Sequence, residues 1–464
     1  MAGLFDTLNL GSRSLSTYRK AIDVTGHNLA NVNTEGYTRQ RLQIGTTTTD
    51  GGPFGPLGNG SDAVQITRLY SQATAKQLQT EASIQGSLDA KHDALQQALV
   101  FLQESIDRNG ANGTTTKGLS QGLSDFFAAA QNVATNPGSI EHRQVFLQKA
   151  QELATKFNTT DSRLDSLNEG INERISSEVT EANGLLNEIA KLNESIVGEE
   201  ALSTGFANDL RDTRQLKMEA LAKLVKFEAA EQENGAINIS VAGNLLVDGR
   251  EVANSLETFD DSGSLQVRVA GQSAAAGLTG GSIYGSINVR DGELANLRGQ
   301  VDLLASTFIS EVNAVHRTGF SLDNTTGADF FTGTTAGDIS VNAALLGNPR
   351  LLQASGVAGQ AGNNTVAQAI ASLSETKHAA LNGLSFSGKQ AQSIASLGQD
   401  VASARSELAD QQTISQFVRD QRDSVSGVSI DEEMTNLIMF QNAFQASAKL
   451  ISMTDEMLAT IIEM

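Results

Sequence analysis

The sequence predicts a mainly α-helical fold with a small β-rich insertion, built as an elongated rod of long coiled-coil-like helices whose N- and C-terminal helices pair at one end. Three observations predict it: narrow apolar stripes at both ends, similar stripes in the interior, and one stretch of alternating apolar residues near the middle. Only 4 prolines interrupt 464 residues, and proline is the residue that a helix interior tolerates least.

The N-terminal segment carries the first stripe. Its members follow one another at alternating spacings of four and three, which is the period of a helix that packs along a partner helix. They are Leu4, Leu8, Gly11, Leu15, Tyr18, Ile22, Thr25 and Leu29.

A stripe of the same kind ends the chain. Neither helix can bury so narrow a stripe alone, so each needs the other or a neighbouring molecule. Residues 1–41 carry five basic and three acidic side chains, a net of +2, and residues 425–464 carry one basic and six acidic, a net of −5. Opposite charges favour pairing of the two ends with each other. The C-terminal stripe is Leu437, Phe444, Ile451 and Leu458, accompanied by Met434, Ala448 and Ile462.

Helical periodicity also fills most of the interior. A long helix follows the stop signal Asn136-Pro137-Gly138, and a glycine- and threonine-rich stretch at 46–59 is predicted to be a loop or irregular arm. The other predicted helices have approximate bounds of 71–106, 118–135, 206–226, 292–317, 366–424 and 428–464, and the one over 366–424 is expected to be broken near Gly383 and Gly388.

The pattern changes to alternation after Phe227, where Ile237, Ile239 and Val241 are separated by polar residues and Asp248-Gly249 supplies a turn. Residues 227–285 are therefore predicted to be strands. The expected domains are a terminal helical polymerisation domain (1–40 plus 425–464), a helical rod domain (41–226 plus 286–424) and a β-rich inserted outer domain (227–285).

Composition excludes several classes of function. A net charge of −20 argues against nucleic acid, which requires basic clusters. No stretch approaches the roughly 20 apolar residues of a membrane span, so no membrane insertion is expected. The absence of cysteine excludes a disulfide scaffold, a cysteine-ligated zinc site and a thiol nucleophile. The first residues lack a basic region followed by an apolar run, so no cleavable signal peptide is predicted.

No catalytic, cofactor-binding or metal-ligating residue stands out. The five histidines lie on different segments, and no nucleophile and base or pair of carboxylates is suggested by spacing, so the protein is not expected to be an enzyme. The acidic run Asp431-Glu432-Glu433 is interpreted as the favourable placement of carboxylates at the positive end of the last helix.

Residues 27–41 require more explanation than the end of a helix. Asn31 and Asn33 follow the N-terminal stripe, and Gly36 then supplies a turn with positive φ. Tyr37 and Arg39 come next, and these residue types dominate the energetics of protein interfaces. We therefore add these five positions to the two stripes as the predicted assembly interface.

The segment Ala30-Asn31-Val32-Asn33-Thr34-Glu35-Gly36-Tyr37-Thr38-Arg39 resembles the N-terminal signature of bacterial flagellar rod, hook and hook-associated proteins. The run from Gly427 to Leu437 and its continuation through Asp455-Glu456-Met457-Leu458 are similar to the C-terminus of the flagellar hook-associated proteins. The interior stretch from Gly280-Gly281 to Asp329-Phe330-Phe331 agrees with this resemblance. Glu35 departs from the signature, because proline is usual there.

The resemblance implies a structural axial component of the bacterial flagellum that forms the junction between hook and filament. It implies export to the extracellular flagellum without a cleavable signal peptide. The implied partners are the hook protein, a second hook-associated junction protein, neighbouring copies of the chain, and a cytoplasmic export chaperone bound to the C-terminal helix. The alternatives are another axial protein of the hook or distal rod, or a coiled-coil surface adhesin.

Overall fold

Long α-helices make up most of the chain. The computed structural model describes residues 2–47, 49–52, 55–58, 60–102, 118–202 and 205–463. Its α-helices are α1 (Ala2–Ala30), α2 (Gln72–Leu102), α3 (Leu119–Thr135), α4 (Ile140–Leu202), α5 (Asn208–Leu224), α6 (Ser282–Val289), α7 (Ala295–His316), α8 (Ala343–Gly347), α9 (Thr365–Ser372), α10 (Phe386–Ser426) and α11 (Ile430–Glu463).

The strands form small antiparallel sheets. They are β1 (Gln40–Thr46), β2 (Thr49–Gly52), β3 (Gly55–Gly58), β4 (Ser61–Arg68), β5 (Glu228–Glu231), β6 (Ile237–Val241), β7 (Asn244–Asp248), β8 (Glu251–Val252), β9 (Leu256–Asp261), β10 (Ser264–Val269), β11 (Phe331–Thr332) and β12 (Ser340–Val341). β5 to β8 make one four-stranded sheet in chain order, whereas β1 pairs with β4, β2 with β3, β9 with β10 and β11 with β12.

The mainly α-helical fold with a small β-rich insertion is confirmed, and so is the packing of the terminal helices α1 and α11 against each other. The helix predicted from about residue 292 begins earlier, at Ser282, and contains a π-helical turn at Arg290–Leu294. Residues 103–106 of the helix predicted over 71–106 lie outside the described residues.

The prediction of an irregular arm over 46–59 is wrong. β1 and β4 pair antiparallel from Gln40 opposite Arg68 to Thr46 opposite Ser61, with a bulge between Gln43 and Ile44. β2 and β3 continue this ribbon. Glycine and threonine suggested a loop, but ladder hydrogen bonds join backbone groups and do not depend on side chains. Residues 48, 53, 54 and 59 of the predicted arm lie outside the described residues.

Packing divides the chain into two compact units. The first, called unit 1, comprises Met1–Ser87, Glu178–Ile283 and Asp410–Met464, and the second, unit 2, comprises Leu88–Ser177 and Tyr284–Ala409.

In unit 1 an asparagine of α4 forms hydrogen bonds with the four-stranded sheet. Asn193 is fully buried and donates from its Nδ2 to the carbonyl oxygens of Ile237 and Gly249. Its Oδ1 accepts from the backbone N–H of Ile237 and from Nη1 of Arg214. Because a buried amide must satisfy its donors and acceptor, this side chain fixes where the sheet meets the helices.

The core of unit 2 is a cluster of phenylalanines. Phe126 contacts five other rings of the cluster at centroid distances of 5.0–6.0 Å, in the edge-on and tilted geometries that aromatic rings prefer. The cluster consists of Phe126, Phe127, Phe146, Phe157, Phe308, Phe330, Phe331 and Phe386.

His316 is fully buried at the edge of this cluster, with its ring edge-on to Phe330. Its Nε2 accepts the backbone N–H of Gln353 at 3.0 Å, so the ring proton lies on Nδ1, which donates to the carbonyl oxygen of Ala328 at 2.8 Å. Both nitrogens are therefore satisfied by the neutral ring. Burial lowers the pKa of His316 to about 4, despite opposing contributions from the Ala328 hydrogen bond and Asp329.

This burial predicts an acid-dependent loss of stability. The pKa of His316 is lower in the folded state than the usual value near 6.5 in the unfolded state, so its contribution is complete above about pH 6.5 and is lost as the pH falls to about 4. The shift corresponds to about 3 kcal/mol. Denaturant unfolding of the full chain at pH 7 and pH 4.5 measures it. We expect His316→Gln to be less stable at pH 7 and to lose less stability on acidification than the wild type.

The matched control is His142→Gln, which changes a half-buried histidine of the same unit. It should keep the wild-type difference between the two pH values. An unchanged difference in His316→Gln would contradict the assignment of this acid sensitivity to His316.

Candidate assembly interface

The two terminal helices pack closely enough to require a residue without a side chain. A Cβ atom on Gly11 of α1 would lie 2.7 Å from Cγ1 of Ile451 on α11 and 3.2 Å from Cδ2 of Leu450. Real Cβ atoms do not approach other carbon atoms this closely, so glycine at this position sets the separation of the helices. Gly11 and Ile451 both belong to the stripes predicted from the sequence.

The large residues of both predicted stripes are half-buried on these packed helices. A half-buried side chain still has surface for a further partner, so pairing does not exhaust either stripe. The half-buried members are Leu4, Leu8, Leu15, Tyr18, Ile22 and Leu29 on α1, and Leu437, Phe444, Ile451 and Leu458 on α11.

The most buried residues of α1 are smaller and were mostly missed by the sequence interpretation. Thr17, Ala21, Val24 and Asn28 are 8% exposed or less, and Thr17 donates from its hydroxyl to the carbonyl oxygen of Ser61 in β4 at 3.0 Å. α1 therefore packs on the β1–β4 ribbon as well as on α11. The sequence pattern predicts no strand there, so it does not indicate a second buried face on α1.

Helix α11 leaves much apolar surface uncovered. Among its exposed side chains, Ile438 is 55% and Ile462 is 82% exposed. Soluble monomers rarely expose contiguous apolar surface unless it is used in binding. The exposed apolar residues of α11 are Ile430, Met434, Ile438, Met439, Met453, Met457, Ile461 and Ile462.

The turn after α1 is built around Asn31 and Gly36. Asn31 donates from Nδ2 to the carbonyl oxygen of His27 and accepts from the hydroxyl of Thr34, which ends the helix with side-chain hydrogen bonds. Gly36 has φ +76°, and a Cβ there would lie 2.4 Å from Cγ of Leu216. Asn33 is exposed, and its side chain makes no hydrogen bond with the described residues, so the structure gives it no role in the turn.

Asn28 organises the polar contacts beneath this turn. It is 1% exposed, and its Nδ2 donates to the carbonyl oxygen of Gln40 at 2.9 Å and to Oε2 of Glu433 at 3.0 Å. Its Oδ1 accepts from the backbone N–H of Gln40 and from the Tyr37 hydroxyl. Burial and the nearby Asp209 raise the pKa of Tyr37, so the hydroxyl remains a donor at physiological pH.

Arg39 joins the turn to the start of α11. Its Nε donates to Oε1 of Glu433 at 2.8 Å and its Nη2 lies 2.7 Å from the same oxygen, while its Nη1 contacts Glu432 at 2.6 Å. The Glu433 side chain is 3% exposed and that of Glu432 is 63% exposed. We call Asn28, Tyr37, Arg39, Glu432 and Glu433 the terminal cluster.

The terminal cluster corrects the interpretation of the acidic run as a helix-end preference alone. In the run Asp431-Glu432-Glu433, the carboxylates of Glu432 and Glu433 pair with Arg39, which lies 393 and 394 positions away in the sequence. A single sequence carries no signal for such a pair, because the two partners are adjacent only in the folded chain.

The same turn is tied to α5. The backbone N–H of Thr38 donates to Oδ2 of Asp212 at 2.8 Å, and its hydroxyl donates to Oδ1. Arg68 pairs with the same carboxylate at 2.7 Å. Gln40 donates to Oδ1 of Asp209 at 2.7 Å. The segment that follows α1 is therefore held from both sides, by α5 and by α11.

Within the described part of the chain, no three histidine or acidic side chains lie close enough to share a metal ion. Across the same residues, no helix combines the length and hydropathy needed to cross a membrane.

The sequence of the chain matches models of flagellar protein families in three regions. Residues 104–331 match the model described as the flagellar hook-associated protein FlgK helical domain. Residues 420–464 match the C-terminal model of the flagellar basal body rod FlgEFG proteins, and residues 8–38 match the model of flagella basal body rod proteins. The two terminal matches include most of α1 and all of α11.

Two relatives carry the name flagellar hook-associated protein 1. The protein of Bacillus subtilis strain 168 is 26% identical over 517 aligned residues, covering 100% of this chain and 98% of the relative. The protein of Escherichia coli strain K12 is 27% identical over 334 residues, covering 70% of this chain and 59% of the relative. The solved structure of the flagellar hook junction protein FlgK from Burkholderia pseudomallei has the same fold, with a TM-score of 0.63 and 16% identity over 76% of this chain and 100% of that one.

The chain is thus a structural axial protein of the bacterial flagellum. It belongs to the flagellar hook-associated protein 1 family, a component of the junction between hook and filament. The comparisons favour this family over the hook, distal rod and adhesin alternatives that the sequence left open. The family is one of structural proteins that assemble with other flagellar proteins.

The terminal cluster predicts unequal effects of two matched substitutions. Glu433→Gln removes the charge from a buried partner of Arg39 and should destabilise the pairing of α1 with α11 by about 2–3 kcal/mol. Glu432→Gln changes a largely exposed partner and should cost only ~0–1 kcal/mol. Amide hydrogen exchange at the start of α11 reports both values as free energies of opening. Equal effects of the two substitutions would show that burial of Glu433 does not strengthen the pair.

Proposed function

We propose that the paired helices α1 and α11 form the polymerisation surface through which this chain is built into the hook–filament junction. The observation that carries the proposal is the incomplete burial of both stripes together with the exposed apolar side chains of α11. Packing the same helices against neighbouring subunits would remove that surface from water, at about 25 cal/mol per Å² of apolar area. The predicted interface residues of α1, of the turn and of α11 are the positions proposed to act in this assembly.

We further propose that different segments of the chain have different roles. Residues 1–40 and 425–464 serve polymerisation, residues 41–226 and 286–424 serve as the helical rod domain, and residues 227–285 form an inserted outer domain. The contact of α1 with α11 supports grouping the two ends. The strands from Glu228 to Val269 support a separate β-rich insertion.

The specific partners also belong to the proposal. They are the hook protein on one side, a second hook-associated junction protein on the other, and neighbouring copies of this chain. Family membership supports them, because a junction component must contact the structures that it joins. The chain would reach the flagellum by export without a cleavable signal peptide.

Two isoleucines on α11 separate pairing within the chain from contacts between chains. Ile451 is half-buried and lies over Gly11, so Ile451→Asp should destabilise the pairing of α1 and α11 in the isolated protein by about 1–3 kcal/mol. Ile462 is 82% exposed, so Ile462→Asp should leave the isolated protein unchanged. Both substitutions should reduce filament attachment in cells, as counted by electron microscopy.

Hydrogen exchange of the isolated full chain provides the first measurement and establishes that Ile462→Asp folds normally. Normal filament attachment by Ile462→Asp would contradict the proposal that the exposed face of α11 contacts other subunits.

The export chaperone is proposed to bind α11 before assembly. An amphipathic helix is a common occupant of an apolar groove, and the half-buried Leu437 and Phe444 become fully available once α11 separates from α1. Leu437→Asp combined with Phe444→Asp should therefore abolish binding to the cytoplasmic chaperone in a pull-down with the purified full chain.

The control for charge is Gln441→Asp combined with Gln445→Asp, which changes two exposed residues of the same helix by the same number of charges. It should retain chaperone binding. Unchanged binding by the leucine and phenylalanine variant would exclude this part of α11 as the chaperone site.

A further inference from the structure

Unit 1 contains a cleft that the assembly surface does not use. Its volume is about 200 Å³, and it lies between the first turns of α2, one face of α5 and the strand β5. Its charged lining side chains are those of Arg68, Lys76, Arg211, Arg214, Lys226, Glu228 and Glu231.

Arg214 lines this cleft without a carboxylate partner. It is 2% exposed, and its Nη1 donates to Oδ1 of Asn193 and to the carbonyl oxygen of Gly235, both at 2.7 Å. No described carboxylate lies within ion-pair distance of it, and its Nε and Nη2 make no hydrogen bond with the described residues. Burial, followed by the charge of Arg211, lowers the pKa of Arg214 to about 10. It remains charged at neutral pH, in a place where an unpaired charge is costly.

The two other arginines of the cleft show how different Arg214 is. Arg68 pairs with Asp212 at 2.7 Å. Arg211 pairs with Glu200 at 2.7 Å and with Glu231 at 2.6 Å. Carboxylates of the same chain neutralise the charges of Arg68 and Arg211, whereas the charge of Arg214 has no carboxylate partner among the described residues.

The rim of the cleft adds to the surplus of positive charge. Lys76 and Lys226 are exposed and make no ion pair with a described residue. The carboxylates of the lining are Glu228 and Glu231, and Glu231 is already paired with Arg211. Five basic against two acidic side chains line this cleft, which makes a basic site on a chain whose net charge is −20. Such a site attracts an anionic group.

We propose that this cleft receives a carboxylate side chain from a second copy of this chain in the assembled flagellum. The volume is below the roughly 300–1,000 Å³ of ordinary ligand pockets and suits a single side chain. Arginine offers a carboxylate two parallel donors, and Arg214 has Nε and Nη2 free for that contact. Charge complementarity favours a second copy, because each copy carries 53 acidic against 33 basic residues.

This inference rests on the proposed assembly, and it is tested in assembled flagella by site-specific photo-crosslinking. Gln72 is exposed and lines the cleft, so it is replaced by the photoreactive residue p-benzoylphenylalanine in the full chain. We expect an adduct of two copies of this chain, with the crosslinked peptide containing aspartate or glutamate by mass spectrometry.

The decisive variant carries Lys76→Glu and Lys226→Glu in the same photoreactive background, and we expect loss of the adduct. The control reverses Lys191 and Lys223, which are exposed in the same unit but do not line the cleft, and should keep the adduct. Attached filaments are counted in every strain.

Attached filaments without the self-adduct, or with an adduct to a different protein, would overturn the inference while leaving the proposed function intact. Equal loss of the adduct in both lysine variants would also overturn it, because net charge and not the cleft would then be responsible. Absence of the photoreactive protein from flagella would contradict the proposed function itself.

Discussion

The structure of the terminal region depends on one buried ion pair between distant parts of the chain. Arg39 and Glu433 are 394 positions apart, and the glutamate side chain is 3% exposed. Neutralising Glu433 costs about 2–3 kcal/mol, because Arg39 then keeps only the exposed Glu432 as an ionic partner. Asn28 donates a hydrogen bond to the same carboxylate. It also donates to the carbonyl oxygen of Gln40 and accepts from the backbone N–H of Gln40. The end of α1, the start of β1 and the start of α11 are therefore positioned together.

Apolar packing and polar contacts have different roles in this arrangement. The stripes of α1 and α11 supply attraction, but a heptad stripe alone tolerates other registers and other partners. The terminal cluster removes that freedom, because Glu433 meets Arg39 and Asn28 in one register. Gly11 opposite Ile451 adds a second restriction. The pairing of the two ends is thus specified at two points along the helices.

The sequence predicted what depends on local patterns and missed what depends on distant contacts. Periodicity found the helices and both stripes, and alternation found the strands around Ile237. Neither pattern indicates the β1–β4 ribbon, because glycine and threonine in that stretch also suit a loop. Residue type and position after the first helix indicate the turn residues Asn31, Gly36, Tyr37 and Arg39. Asn28 and Glu433, the partners of Tyr37 and Arg39, are not predicted as such, because nothing near them in the sequence marks them as neighbours.

A chain designed only to be stable as a monomer would not keep this distribution of polar and apolar surface. Polar groups such as Asn28 and Glu433 are buried between α1 and α11, whereas the exposed methionines of the described residues and four of the seven exposed isoleucines lie on α11. A fully buried large apolar side chain contributes about 1.5–3 kcal/mol, so half-buried stripes leave a comparable amount to be gained on association. The internal polar contacts fix the form of the subunit first. The remaining apolar surface can then drive assembly without changing how the two ends pair.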